Sequence, residues 1–105
     1  MTETLYVDVF GDEIVLADTV RVTILEKHPE ASDFIDSLAE VLAKPDEVRQ
    51  SVRDTRVVLY YQFRTSVLEG KWVVVVVKRI DRNFISTLYA TDKIKSGDVL
   101  WKKTT

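Results

Sequence analysis

Apolar and polar positions at the start of the chain alternate with the period of a strand. Leu5, Val7 and Val9 interleave with Tyr6, Asp8 and Phe10, and Glu13-Ile14-Val15-Leu16 follows after Gly11-Asp12. This predicts a β-hairpin over residues 1–17 whose two-residue loop begins on glycine, as a type II′ turn prefers. Asp18 to His28 reads two ways. Val20, Val22 and Ile24 are β-branched and alternate, but the alternation fails at Glu26. A helix with Asp18 as N-cap instead gathers Ala17, Val20 or Arg21, Ile24, Leu25 and His28 onto one stripe, and Pro29 ends it. The helix is the preferred reading. From Ser32 to Ala43, Phe34, Ile35, Leu38, Val41 and Leu42 form one apolar stripe, with Asp33, Asp36 and Glu40 opposite, so an amphipathic helix is expected before Pro45.

Beyond Glu47 the texture changes to that of strands. Arg56 to Arg64 is rich in β-formers, Lys71 to Ile80 carries five consecutive valines, and Phe84 to Thr91 follows. Such a valine run suits a central strand buried on both faces. The short links Ser66–Gly70 and Asp81–Asn83 predict an antiparallel meander, and a turn at Lys95–Asp98 leads to a last strand at Val99-Leu100-Trp101. The expected fold is a single α+β domain over 1–105. It has the N-terminal hairpin (1–17), a layer of two helices (18–45), and a mostly antiparallel sheet of about four strands (47–101) covered on one face by the helices.

Composition narrows the class without naming a function. The longest apolar run, Trp72–Val77, is six residues, against the roughly 20 that a membrane-spanning helix needs. Met1-Thr2-Glu3-Thr4 has neither the basic region nor the apolar stretch of a secretory signal, so an intracellular, cytoplasmic protein with no membrane contact is expected. With no cysteine and one histidine, thiolate and His-rich metal sites are excluded, and no metal or cofactor is expected. The formal charge of −2 conceals a split. Three basic and twelve acidic residues precede Arg49, a balance of −9, whereas twelve basic and five acidic residues follow from it, a balance of +7. Either the basic half meets an anionic partner, or the two halves attract one another across the domain.

Sequence motifs for phosphate loops, dinucleotide folds, serine hydrolases and zinc proteases are absent. The acidic pairs Asp12-Glu13 and Asp46-Glu47 fall in turns, where capping accounts for them. What remains is a basic and aromatic set. Arg49, Arg53 and Arg56 precede Tyr60-Tyr61, and Lys78-Arg79 close the valine strand. Period two puts Trp72, Val74, Val76 and Lys78 on one face of that strand, and Thr87, Tyr89 and Thr91 on one face of the next. One sheet face thus offers a cation beside hydroxyls. Strand ends commonly carry Lys or Arg, and Tyr and Thr are good strand formers, so the same pattern has a structural explanation. His28, which titrates near neutrality when unperturbed, also fits a simple helix C-terminal partner.

Several short motifs, taken in order, suggest a family. They are His28-Pro29-Glu30, Pro45 to Ser51, Arg53-Asp54, Leu59-Tyr60-Tyr61, Val74 to Lys78, Phe84 to Thr91, and Ile94 to Gly97. From about Thr19 to Trp101 the chain resembles the small phage-associated members of the Barnase–EndoU–colicin–RelE (BECR) nuclease fold group. The resemblance implies a metal-independent, toxin-like ribonuclease, or an inactive relative, with helices on one sheet face and RNA on the other. The ribose 2′-hydroxyl would attack the adjacent phosphorus, which requires a base, an acid and positive charge on the phosphorane. The implied catalytic set is His28, Lys78, Arg53, Tyr89 and Thr87, with Arg49, Tyr60, Tyr61 and Thr91 binding substrate. A single histidine departs from the two-histidine pair of some ribonucleases. The rival expectation is a noncatalytic module that binds RNA or a protein such as an antitoxin. A third is a homo-oligomer in which acidic and basic halves pair.

Overall fold

The computed structural model describes residues 2–104; Met1 and Thr105, the ends of the expected domain, lie outside the described residues. β1 (Glu3–Val7) and β2 (Glu13–Ala17) form the hairpin, with Tyr6 opposite Ile14. Its loop is Asp8–Asp12, five residues rather than the two expected. The reason is the Asp8 carboxylate, which accepts the N–H groups of Phe10 (3.0 Å) and Asp12 (2.9 Å) and so organises a wider turn. Gly11 supplies a positive φ of 86° within it. The Val9 N–H donates to the Leu42 carbonyl at 2.8 Å, drawing Val9 out of the strand.

The second strand runs directly into α1 (Asp18–Lys27). Ala17, not Asp18, occupies the N-cap, and Asp18 is the first helical residue, where its charge complements the helix dipole. Ile24 is buried and Val20 and Leu25 pack beside it, so the helical stripe carries the contact. The expected helix over Ser32–Ala43 is broken. Two 3-10 turns, Pro29–Asp33 and Ile35–Ser37, precede a short α2 (Leu38–Ala43). Phe34 sits between the turns at φ −135°, ψ 4°, outside helical geometry. Adjacent bulky residues explain the break: Phe34 (2% exposed) and Ile35 (5%) both enter the core, and the tighter turns bring Ala31 and Leu38 in with them. Every member of the predicted stripe is buried, but not through one helix.

The sheet has seven strands where about four were expected. β3 (Glu47–Ser51), β4 (Val57–Arg64), β5 (Lys71–Ile80), β6 (Arg82–Thr91) and β7 (Gly97–Lys102) join the hairpin in the order β1-β2-β6-β5-β4-β3-β7. All neighbours are antiparallel except β2 and β6, which meet in parallel at Val15 and Phe84. The hairpin therefore extends the sheet rather than standing apart. β3 has only one strong strand former, Val48, and owes its conformation to pairing with β4 on one side and β7 on the other. The central β5 behaves as its valines predict, with Val73, Val74, Val75 and Val77 fully buried. Its turn to β6 is tighter than expected: Ile80 pairs with Arg82, and Asp81 alone makes the bend at φ 54°.

Two layers of contact result. The helices and 3-10 turns pack on Val58, Tyr60, Val73, Val75, Val77, Ile85 and Leu88. The other face gathers Leu59, Tyr61 and Val74 with Trp72, Val76, Tyr89 and Ile94. Because β7 lies beyond β3, the segment Asp92–Ser96 must cross this second face from β6 to reach it. Among the described residues no helix is long and apolar enough to cross a membrane.

Candidate functional site

The crossing segment covers one end of the second face, where Ile94 packs on Leu59, Tyr61 and Val74. The other end stays open as a cleft of about 480 Å³. Its floor is apolar, formed by Val57 and Leu59 of β4 and Val76 of β5. Thr87 and Tyr89 of β6 form one wall; Ser51, Val52 and Arg53, which leave β3, form another, and Lys95 and Ser96 close it. The strand register sets this arrangement, since Val76 pairs with Thr87 and Val74 with Tyr89, so both β6 side chains share the Val76 face.

His28 reaches the same neighbourhood by topology. β2 pairs with β6 at one position only, so α1 and the first 3-10 turn pack along the rest of β6. The His28 ring then lies 6.1 Å from that of Tyr89, and its Nδ1 is 3.7 Å from the Glu30 carboxylate. His28 is not itself a lining residue of the cleft. Tyr89 stands between two cationic or potentially cationic groups, with the Lys95 ammonium 5.9 Å from its ring centroid. Burial pushes the Tyr89 phenol above its ordinary value, so it stays protonated at neutral pH.

The remaining expected residues divide. Arg53 and Thr87 line the cleft with Tyr89, and Arg53 is exposed. Lys78 pairs across from Val57, next to the cleft but not lining it, and its charge helps hold the Asp54 carboxyl below the usual range, after the hydrogen bonds from Arg56. Thr91 pairs with Trp72 at the far end of the face. Arg49 does not line the cleft: its guanidinium, a quarter exposed, is ion-paired with the buried Glu47 and donates to the Lys95 carbonyl at 3.1 Å. Nor does Tyr60. It lies on the helix-covered face, fully buried, where its hydroxyl donates to Asp8 and accepts from Arg79 at 2.8 Å. Tyr61 is on the correct face but fully buried, and its hydroxyl accepts the Lys95 N–H at 3.1 Å. Neither tyrosine presents a ring face on which a base can stack.

Lys95 and Ser96 were not among the expected site residues, although the sequence reading placed them in a turn and in the Ile94–Gly97 motif of the resemblance. The charge split is largely answered within the molecule. Glu47–Arg49, Glu40–Arg64, Asp8–Arg79, Asp12–Arg79, Glu3–Arg82 and Asp46–Lys103 all link the acidic half to the basic half. Among the described residues the basic half leaves Arg53, Lys78, Lys93, Lys95 and Lys102 without an ion pair within 4 Å. Two of these line the cleft and a third stands beside it. No group of three His, Asp or Glu side chains among the described residues is placed to hold a metal ion. No family model, curated protein or solved structure matches the chain.

Proposed function

We propose that the protein is a metal-independent RNA endonuclease, toxin-like or phage-related and acting in the cytoplasm, whose reaction takes place at the open cleft. One observation carries the reading: Arg53, Thr87 and Tyr89 line one concave end of the sheet together with Lys95, and the His28 ring stands just outside it, 6.1 Å from that of Tyr89. The resemblance to BECR nucleases supports it, since that group places RNA on the sheet face opposite the helices. In the reaction the 2′-oxygen bonds to phosphorus and the P–O5′ bond breaks. His28 takes the 2′-hydroxyl proton, and a proton is returned to the departing O5′ by His28 or by the Tyr89 phenol. Arg53 holds nonbridging oxygens bidentately, Thr87 orients the ribose, and Lys78 adds positive potential at the rim.

The test is incubation of the pure protein with single-stranded RNA and tRNA in EDTA. The expected product carries 2′,3′-cyclic phosphate and 5′-hydroxyl ends, and His28→Ala lowers the rate by about 10²–10⁴-fold. Arg53→Ala should cost more than Lys78→Ala. Absence of cleavage, or cleavage that survives His28→Ala, overturns the reading.

A second reading has its own support. His28 does not line the cleft, and the outer strands β1 and β7 expose Leu5, Val7 and Val99 at 50% or more. A noncatalytic module that binds RNA, an antitoxin-like protein or a second copy of itself fits these features. It would bind RNA with a salt-dependent affinity and leave it intact, or change its oligomeric state with concentration.

A further inference from the structure

We infer that Asp92–Ser96 is a pinned strap whose purpose is to present Lys95, in the same cleft as Arg53, as a subsite for a phosphate group. Glu47, Arg49 and Tyr61 act on it as positioning residues. The phosphate is taken to be that of RNA, so this part of the inference rests on the reading above.

A short diagonal crossing follows from topology. Between β6 and β7 lie four inter-strand steps, from β6 through β5, β4 and β3, about 19 Å across the sheet at about 4.8 Å each. The registers also set the end points at opposite ends of the strands, Thr91 opposite Trp72 and Gly97 opposite Ser51. Only five residues, bent at Asp92 and Lys93, make this connection, so none is spare for a loop that stands away from the face.

Both ends and the middle are also pinned. Asp92 is ion-paired with Lys71 at the entry, and Ile94 is packed into the cluster of Leu59, Tyr61 and Val74. At the exit Gly97 sits so close to β3 that a Cβ there would stand 2.2 Å from the Gln50 carbonyl oxygen. Lys95 itself has both backbone polar groups held, its N–H by the Tyr61 hydroxyl at 3.1 Å and its carbonyl by Arg49 at 3.1 Å. Arg49 is in turn anchored by Glu47, which is 6% exposed. A buried carboxylate–arginine pair is a costly way to close a loop when Ile94 already seals the face.

The side chain delivered by this arrangement has no acidic partner within 4 Å and lines the cleft with Arg53 and Ser96. Lys95 is exposed, and its ammonium lies 5.9 Å from the centroid of the Tyr89 ring. A lysine and an arginine without ion pairs in one cleft with the Ser51 and Ser96 hydroxyls suit the tetrahedral oxygens of a phosphate mono- or diester.

Two probes test this on the full chain. Pyrophosphate titrated into ¹⁵N-labelled protein should shift the amides of Arg53, Lys95 and Ser96 at saturable concentrations, and Lys95→Ala should abolish that. Fluorescently labelled single-stranded RNA, measured between about 50 and 200 mM salt, should bind Lys95→Ala with a log–log salt slope smaller by about 0.7, whereas Lys95→Arg keeps the slope. Tyr61→Phe and Arg49→Ala should weaken RNA binding severalfold with the slope unchanged, because the phosphate contact persists in a looser strap. Tyr61→Phe is the milder change and stands in if Arg49→Ala does not fold. An unchanged slope in Lys95→Ala, or no pyrophosphate shift at these amides, overturns the subsite. Unaltered binding in both Tyr61→Phe and Arg49→Ala overturns the positioning role. Lys95-dependent pyrophosphate binding without RNA binding refutes the RNA reading alone, and RNA cleavage indifferent to Lys95 refutes the subsite alone.

Discussion

Replacing Tyr60 by phenylalanine tests the buried polar cluster that ties the hairpin loop to the sheet. The Tyr60 hydroxyl donates to the Asp8 carboxylate and accepts from Arg79, with Tyr60 and the Asp8 side chain fully buried. Loss of a hydrogen bond to a charged group costs about 1.5–3 kcal/mol. The ring stays in place, and Asp8 keeps the N–H groups of Phe10 and Asp12 and the Arg79 guanidinium at 3.1 Å, so no carboxylate is left without donors. The expected loss at pH 7 is therefore about 2 kcal/mol, or about 10 °C in Tm for a chain of this size. A pH dependence separates this cause from a general loosening. Burial, then Asp8, raises the Tyr60 phenol above its ordinary value. A group whose folded value is raised has its full stabilising effect below the unfolded value, near 10 for tyrosine, and loses it as pH rises beyond. At pH 10.5 the unfolded phenol is mostly ionised while the folded one is not, which costs the parent protein about 0.8 kcal/mol and the variant nothing. The difference between the two should thus shrink to about 1 kcal/mol. Tyr61 and Tyr89 are raised in both proteins and cancel. Urea unfolding at both pH values, with equal m, measures this. A difference below about 0.5 kcal/mol at pH 7, or one that does not shrink at pH 10.5, refutes the reasoning.

Gly97→Ala should destabilise by about 2–3 kcal/mol, because the new Cβ meets the Gln50 backbone at 2.2 Å and β7 must shift off β3. Loss of amide protection confined at first to β7 would identify that shift by hydrogen exchange. Val75→Ala, in the centre of β5 at 0% exposure, should cost about 2–3 kcal/mol in urea unfolding, whereas Val52→Ala, at 73% exposure, should stay within about 0.5 kcal/mol. Because Val52 lines the cleft, its substitution should instead be read in RNA binding, where a loss of affinity without a loss of stability is expected.

The alternating and helical periods of the sequence were enough to place the chain in the α+β class and to set which residues go inward on β5 and in the helical layer. They were not enough on β1, where Leu5 and Val7 are exposed and Tyr6 and the adjoining Asp8 turn in because the Asp8 carboxylate meets Tyr60 and Arg79. Val73, Val75 and Val77 divide from Trp72, Val74 and Val76 as the period of two requires, and Phe34, Ile35, Leu38, Val41 and Leu42 are all buried. Those properties are local, because a side chain's face follows from its place in a pleat or turn. Tertiary structure decided what local pattern cannot express. Strand formation at Glu47–Ser51 depends on neighbours distant in sequence, and the two 3-10 turns arise from packing Phe34 and Ile35 together. The candidate site shows the same division. Thr87 and Tyr89 were legible from their spacing, but the choice among the cations was not, since charge pairing is settled only when distant chain segments meet. Arg49 found Glu47, and Arg79 found Asp8 and Asp12. Lys95 was left free by a strap whose reach is set by the strand order. Composition alone gave the −2; the fold distributed the charges behind it.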